Sequence, residues 1–162
     1  MFQNMVGVQD IEKRRMKMRE ILFKAKRIDN GEWVEGYVVK YGFTGKEKWH
    51  IVPSYASALY SYEVDENTIC QYTGLTDKNG NKIWENDVVK KHFYTDYDAC
   101  ANSEEYIGTV QFTDCAWVIE TIRGRYKCTR PIFEAMAYSE DVKHFEVIGN
   151  IFDNPELIGG DE

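Results

Sequence analysis

The stretch from Thr68 to Tyr94, TICQYTGLTDKNGNKIWENDVVKKHFY, decides the fold class of this chain. Residues that favour β-strands lie on both sides of Asp77-Lys78-Asn79-Gly80, and aspartate in first place with glycine in fourth is typical of a type I turn followed by a left-handed residue. A second turn signal, Glu85-Asn86-Asp87, precedes Val88-Val89 and predicts a strand after a short loop whose acidic side chain accepts backbone N–H groups. The stretch therefore predicts successive antiparallel strands.

Strand signals also fill the sequence before this stretch. The runs ILFKAKRI at 21–28 and EWVEGYVVKYG at 32–42 flank Asp29-Asn30-Gly31, where the Asn-Gly step supplies the positive φ of a tight hairpin. KWHIVP at 48–53 predicts a third strand. Residues 54–64 have no clean period, so helix and loop both stay open there.

Strands resume after a polar, acidic segment at 95–105, which predicts a long loop. YIGTVQF, AWVIETI and RYKCT, between residues 106 and 129, predict three strands, and residues 132–142 predict one short helix. FEVIGNIF at 145–152 predicts a last strand that ends at Asp153-Asn154-Pro155, because proline restricts the residue before it. We therefore expect a mainly β chain whose antiparallel hairpins form one or two small barrel-like units, with one or two short helices.

Composition and charge limit the classes of partner. The 162 residues are 43% hydrophobic and 14% aromatic, and acidic side chains spread along the chain give a net charge of −7. A chain of this length buries about two-thirds of its unfolded surface, so one compact domain is the expectation. The negative field repels phosphates, which disfavours duplex nucleic acid as a partner.

We expect neither a membrane span nor a secretion signal in this sequence. Residues 1–8 are too short for the apolar region of a signal peptide, and no apolar run approaches the roughly 20 residues of a membrane span. We expect a cytoplasmic protein of a bacterial host with no membrane partner. The cysteine spacing fits neither a disulfide scaffold nor a C-x-x-C pair, so we expect buried, reduced thiols. The four are Cys70, Cys100, Cys115 and Cys128.

Residues 1–17 are expected to form a flexible extension before the folded domain. A basic cluster within residues 9–19, at the end of this extension and the start of the domain, favours a solvated arm. An arm that binds nucleic acid or another anionic surface is the alternative. The cluster consists of Lys13, Arg14, Arg15, Lys17 and Arg19.

Three segments carry a resemblance to a known family. QYTGLTDKNGNKIWENDVV at 71–89 and VIGNIFDNPELI at 147–158 together resemble the signature of the YopX family of phage and prophage proteins, and MREILFKAK at 18–26 is similar to the family's opening strand. Residues 18–158 are thus identified as a YopX-like domain, with possible halves 18–82 and 83–158. Residues 159–162 remain as a C-terminal tail.

The resemblance implies a mostly β fold encoded by mobile genetic elements and specifies no activity. We interpret the motif residues as structural, because their glycines relieve backbone strain and their aspartates cap turns. The family's usual Glu-Gly-Asp is Glu85-Asn86-Asp87 here, and asparagine also tolerates the left-handed conformation. The motif residues are Gln71, Tyr72, Thr73, Gly74, Leu75, Asp77, Gly80, Asp87, Val88, Gly149, Asn150 and Pro155.

No catalytic, cofactor or metal site is predicted. The three histidines, His50, His92 and His144, have no second histidine at strand or helix spacing. Asp96 and Asp98 begin a D-x-D pattern, but Cys100 and Ala101 follow where a calcium loop needs an oxygen ligand and then glycine. No glycine-flanked nucleophile and no phosphate-cradling loop is present.

Three hypotheses about function remain. The leading one is a non-enzymatic module that binds an unknown host or phage protein or assembles with itself, because aromatic side chains are abundant enough to anchor an interface. The alternative is an accessory protein that stacks single-stranded nucleic acid on aromatic rings, although the net charge disfavours it. The third is an enzyme whose site brings together distant residues such as His92, Asp96 and Cys100.

Overall fold

The structure is a computed structural model that describes residues 20–56, 60–92, 105–123, 129–131 and 145–159. Within these ranges eleven strands form two antiparallel sheets. The strands are β1 (Phe23–Lys26), β2 (Trp33–Tyr41), β3 (Lys48–Pro53), β4 (Tyr62–Glu63), β5 (Cys70–Thr76), β6 (Lys82–Trp84), β7 (Asp87–His92), β8 (Glu105–Thr113), β9 (Ala116–Arg123), β10 (Thr129–Pro131) and β11 (Phe145–Asn150).

The chain completes the first sheet before it begins the second. The strand order is β4-β3-β2-β1-β5-β6 in the first sheet and β10-β9-β8-β7-β11 in the second. The prediction of a mainly β, antiparallel fold is confirmed. In the described ranges no pairing joins the outer strands of either sheet to each other, so both sheets are open rather than closed barrels. The separation into halves at residues 82 and 83 stays a prediction.

Three predicted turns have the backbone that the sequence indicated. Gly31 connects β1 to β2 with φ of +73°, and Gly80 connects β5 to β6 with φ of +86°. Asn86 takes φ of +65°, which is the left-handed conformation that asparagine tolerates. The side chain of Asp87 accepts the backbone N–H of Trp84 at 2.8 Å, so the acidic residue of this turn does bind the backbone.

The connection between β8 and β9 is a two-residue turn that the sequence did not indicate. Asp114 and Cys115 both have positive φ, +49° and +63°, between the paired residues Thr113 and Ala116. Two successive left-handed residues match the twist of a tight hairpin, but no Asn-Gly or Asp-Gly step marks this one. The expectation that all cysteines are buried is wrong for Cys115, which is exposed, whereas Cys70 is buried.

Helical structure in the described residues consists of two short 3₁₀ turns, at Glu66–Thr68 and Pro155–Leu157. The helix predicted at 132–142 lies outside the described residues. In the ambiguous segment 54–64, Tyr62–Glu63 forms β4. Within the part of the chain that the structure describes, no helix is long and apolar enough to cross a membrane.

The core consists of three clusters of buried side chains that β6 helps to connect. Successive side chains of a strand point to opposite faces. Ile83 therefore joins the cluster of the second sheet, with Val89 and Val110, whereas Trp84 joins Leu22 and Cys70 in the first sheet. A third cluster, of Ala25, Ile51 and Val64, fills the inner side of the first sheet. This arrangement makes β6 the boundary at which the two sheets share a core.

Candidate functional site

One face of the first sheet, which we call the outer face, carries the odd-numbered residues of β2 and their partners on β3. The register places Tyr37 opposite Val52 and Val39 opposite His50. The other face carries Ile51, which is fully buried in the core. Directly opposed residues of an antiparallel pair share a face, so the outer face presents one continuous surface. Its β2 and β3 members are Trp33, Glu35, Tyr37, Val39, Tyr41, Lys48, His50 and Val52.

Much of this surface is apolar and open to solvent. Tyr37 is 48% exposed and Tyr41 is 51% exposed, while Val39, His50 and Val52 are half-buried. An antiparallel sheet with one solvated face usually alternates apolar residues inward with polar residues outward. The outer face departs from that pattern, since tyrosine and valine side chains stand where polar ones are expected. We call these five residues the open patch.

Hydrogen bonds fix the orientation of the rings at one edge of the open patch. The Tyr41 ring stacks on His50 with centroids 4.1 Å apart and an interplanar angle of 22°. The Tyr41 hydroxyl lies 3.1 Å from Nδ1 of His50 and 2.8 Å from Oγ of Ser61. Burial lowers the pKa of His50, against the opposing effect of Glu63, and Lys48 lowers it further. The imidazole is therefore neutral at pH 7 and contributes an uncharged, aromatic surface.

The opposite end of the outer face is covered by the C-terminal part of the chain. The rings of Trp33 and Phe152 meet edge to face at 5.9 Å. Asp153 accepts the Trp33 indole N–H at 2.7 Å and pairs with Lys26 at 2.6 Å. Although burial raises the pKa of Asp153, hydrogen bonds from Lys26, Asn150 and Trp33 lower it to about 2. The open patch is thus the uncovered continuation of a surface that already packs against another part of the protein.

The charges on the outer face are balanced. Lys24 pairs with Asp87 at 2.7 Å and Lys48 pairs with Glu63 at 2.6 Å. Lys82 binds Glu35, and Lys26 binds Asp153. Since each of these four lysines is matched by a carboxylate, they give the face no net positive charge. Binding of a phosphate backbone depends on such a charge.

The Lys24–Asp87 pair is the most enclosed of these contacts. The Asp87 side chain is 2% exposed, and Lys24 lies 5.0 Å from the ring of Trp33 and 5.5 Å from that of Trp84. Burial raises the pKa of Asp87, and this outweighs the lowering by Lys24 and by the Trp84 N–H. The pair joins the first strand of one sheet to the first strand of the other.

Asp77, a predicted motif residue, joins the β5–β6 turn to the second sheet. Its carboxylate accepts backbone N–H groups of Asn79 and Asn81, each at 2.8 Å, and that of Val147 in β11 at 3.1 Å. Burial raises the pKa of Asp77, but these hydrogen bonds hold it below its usual value. The turn also caps the edge of β11, because the Lys78 N–H donates to the Phe145 carbonyl at 2.9 Å. The carboxylate is occupied by donors and therefore unsuited to a cation.

Other motif residues hold β5 and β6 together. The Thr73 hydroxyl donates to the Ile83 carbonyl at 2.8 Å, and the ring of Tyr72 packs against Trp84 at 5.4 Å. Gly74 interrupts the β5–β6 register with φ of +89°. The Gln71 carbonyl accepts the Glu85 N–H at 2.9 Å. Leu75 and Val88 are also packed, Leu75 against the core of the second sheet and Val88 fully buried.

The motif residues near the C-terminus shape the turn after β11. A Cβ on Gly149 would overlap the side-chain oxygen of Asn154. The Asn150 side chain accepts the backbone N–H groups of Phe152 at 2.9 Å and Asp153 at 3.0 Å, and Pro155 begins a 3₁₀ turn. None of the twelve motif residues lies in β2 or β3. The open patch was therefore missed from sequence.

The described residues give little support to a metal site or a catalytic site. No group of three histidine, cysteine or carboxylate side chains there could hold a metal ion. Burial raises the pKa of Cys70 to about 11, so its thiol is protonated and a poor nucleophile at neutral pH. Asp96, Asp98, Cys100 and His144 lie outside the described residues, so convergence of His92 with Asp96 and Cys100 stays a hypothesis.

Comparison with known proteins places the chain in a family. The crystal structure of protein EF1440 from Enterococcus faecalis is similar in fold, with a TM-score of 0.50 and 22% sequence identity over 88% of this chain and 100% of that one. No curated protein matches. The family model described as YopX protein matches residues 22–159, which is most of the sequence. The chain therefore belongs to the YopX family.

Proposed function

We propose that the protein is a non-enzymatic interaction module, carried by a phage or prophage, that binds another protein through the open patch. The observation that supports this most is the pair of half-exposed tyrosines, Tyr37 and Tyr41, in an apolar patch that is bordered by paired charges. Contiguous exposed apolar surface on a soluble protein marks interaction sites. The family assignment itself specifies no partner.

The residue types of the open patch suit protein recognition. Tyrosine is enriched at binding hot spots, because its ring buries a large area and its hydroxyl still finds a polar partner. Tyr41 already has such partners in His50 and Ser61, which hold its ring in one orientation. A ring that is fixed before binding loses less conformational entropy when the partner arrives.

Nucleic-acid binding is a weaker candidate for the same surface. Tyr37 and Tyr41 could stack bases, but single-strand binding also requires a positive groove that follows the backbone. The lysines that border the open patch, Lys48 and Lys82, are each paired with a glutamate. Binding to another protein does not require a net positive charge on the surface.

The experiment is affinity capture from host lysate on the tagged full-length chain, with and without nuclease, read by mass spectrometry. The test variant is Tyr37→Thr with Val52→Thr, which removes the central cross-strand pair of the open patch and keeps β-branched residues in the strands. Phe112→Ser is the matched control, since Phe112 is 53% exposed in the second sheet.

A protein that is retained after nuclease, lost with the test variant and kept with the control supports the proposal. Capture that disappears with nuclease favours the nucleic-acid candidate. Capture that is unchanged in the test variant contradicts the assignment of the open patch.

A further inference from the structure

We infer that the open patch docks against the open patch of a second copy of this chain, so that two first sheets form a face-to-face sandwich. This inference rests on the proposed function and names its partner. Its physical basis is the shape of the patch, the balance of its charges and its continuity with a surface that is already packed.

The shape of the open patch is self-complementary. Large and small side chains alternate across the strands, since Tyr37 is opposite Val52 and Val39 is opposite His50. Two packed sheets lie about 10 Å apart with interdigitating side chains, which requires large residues of one sheet to meet small residues of the other. A two-fold axis that runs parallel to the strands between β2 and β3 places Tyr37 against Val52 of the second copy and Val39 against His50, and each contact occurs twice, as an isologous interface requires.

The charges at the rim of the patch also suit a second copy. Lys48 with Glu63 borders one side and Lys82 with Glu35 borders the other, so each rim carries both signs. Two copies can therefore approach without placing one unbalanced charge against another. Long-range repulsion remains, because each chain carries a net charge of −7. Salt screens that repulsion, so we expect self-association to strengthen as ionic strength rises.

At its covered end the same sheet face already packs against the turn that follows β11. Phe152 contacts Trp33 there, and Asp153 joins Trp33 and Lys26, within the same chain. The second copy would extend that covering to the open end. The open patch comprises only five side chains, which is small beside a standard interface of about 800 Å² per partner. We therefore expect a reversible dimer with a dissociation constant on the order of 10 to 100 μM.

Sedimentation equilibrium of the full chain over a concentration series, at low and at high salt, measures this association. Val39→Lys and Val39→Asp each place a charge at the centre of the patch, so each variant alone should weaken dimerisation by at least about tenfold. Mixing the two variants should restore a dimer, because the opposed charges then attract. Phe112→Ser should associate like the unsubstituted chain.

A chain that stays monomeric at every concentration and salt overturns the inference, and so does a dimer that neither variant weakens. Should the Val39 variants fail to fold by circular dichroism, Tyr37→Thr with Val52→Thr takes their place, and an unaffected dimer again overturns it. If the chain is monomeric but still captures a host protein through the open patch, the dimer inference is wrong and the proposed function is supported.

Discussion

Nζ of Lys24 lies 2.7 Å from Oδ1 of Asp87, although 63 positions separate the two residues in the chain. The contact connects β1 of the first sheet to β7 of the second, beside the indole rings of Trp33 and Trp84. A buried charge is costly unless it is paired. Moving one sheet relative to the other would separate Lys24 from Asp87, so this contact stabilises their relative position. Lys24 and the open patch lie on the same face of the first sheet, the outer face.

Removing one member of this pair should destabilise the fold strongly. Lys24→Met leaves the Asp87 carboxylate buried without its cation, and we expect a loss of about 3 to 5 kcal/mol in the free energy of unfolding. The double variant Lys24→Met with Asp87→Asn should be less destabilised than Lys24→Met alone. Urea denaturation of the three proteins measures the difference.

The exposed pair Lys48–Glu63 provides the control for that experiment, because its side chains are well hydrated. Lys48→Met should change stability by no more than about 1 kcal/mol. If Lys24→Met and Lys48→Met lowered the free energy of unfolding equally, the buried pair would not stabilise the fold more than the exposed pair.

Asp153 should contribute to acid sensitivity. Its pKa is about 2 in the folded protein, below the usual aspartate value, so the carboxylate stabilises the fold above the unfolded pKa. That contribution is lost as pH falls from about 4 towards 2, because the unfolded chain takes up the proton first. The melting temperature of Asp153→Asn should therefore decline less over this window than that of the unsubstituted chain. Parallel slopes for the two proteins would argue against the contact network around Asp153.

A side chain at Gly149 should displace its neighbours in the turn after β11. A Cβ there would overlap the Asn154 side chain and lie 2.9 Å from Cδ1 of Leu157, so both side chains must shift and Gly149→Ala should lose about 1 kcal/mol of stability. The matched substitution is Gly159→Ala, where the nearest atom is 3.8 Å away and little change is expected. Thermal unfolding distinguishes the two, and an undisturbed Gly149→Ala protein would show that the turn after β11 can rearrange.

The cysteines should differ in reactivity. Cys115 is exposed in the β8–β9 turn, whereas Cys70 is buried and its pKa is raised to about 11. Iodoacetamide at neutral pH should therefore label Cys115 in the native protein and Cys70 only after denaturation, because the thiolate is the reactive form. Peptide mapping by mass spectrometry identifies each site. Rapid native labelling of Cys70 would mean that the core of the first sheet opens readily.

The sequence predicts local structure here better than it predicts which surfaces meet. The turns at Asn30-Gly31, Asp77–Gly80 and Glu85–Asp87 are marked by residues whose own side chains or backbone preferences create them. The Asp114-Cys115 turn has a weaker signal, since aspartate tolerates the left-handed conformation but cysteine has no preference for it. The ion pair between Lys24 and Asp87 could not be predicted from the sequence either, because it depends on how the two sheets pack against each other.

The open patch illustrates the same limit. In β2, Val34 and Val38 point to one side of the strand while Tyr37 and Val39 point to the other, so both sides are apolar. A strand that is apolar on both sides predicts that both are covered. That signal was present in EWVEGYVVKYG, but only the structure shows which side the core covers and which stays open.

Hydroxyl-radical footprinting of the full chain, read by peptide mapping, tests the assignment of the open patch most directly. The chain is oxidised at low concentration, at high concentration and in complex with any captured protein. We predict that oxidation of Tyr37 and Tyr41 falls when a partner is bound, while that of Phe112 is unchanged. Protection of Phe112 with no change at Tyr37 and Tyr41 would contradict the account.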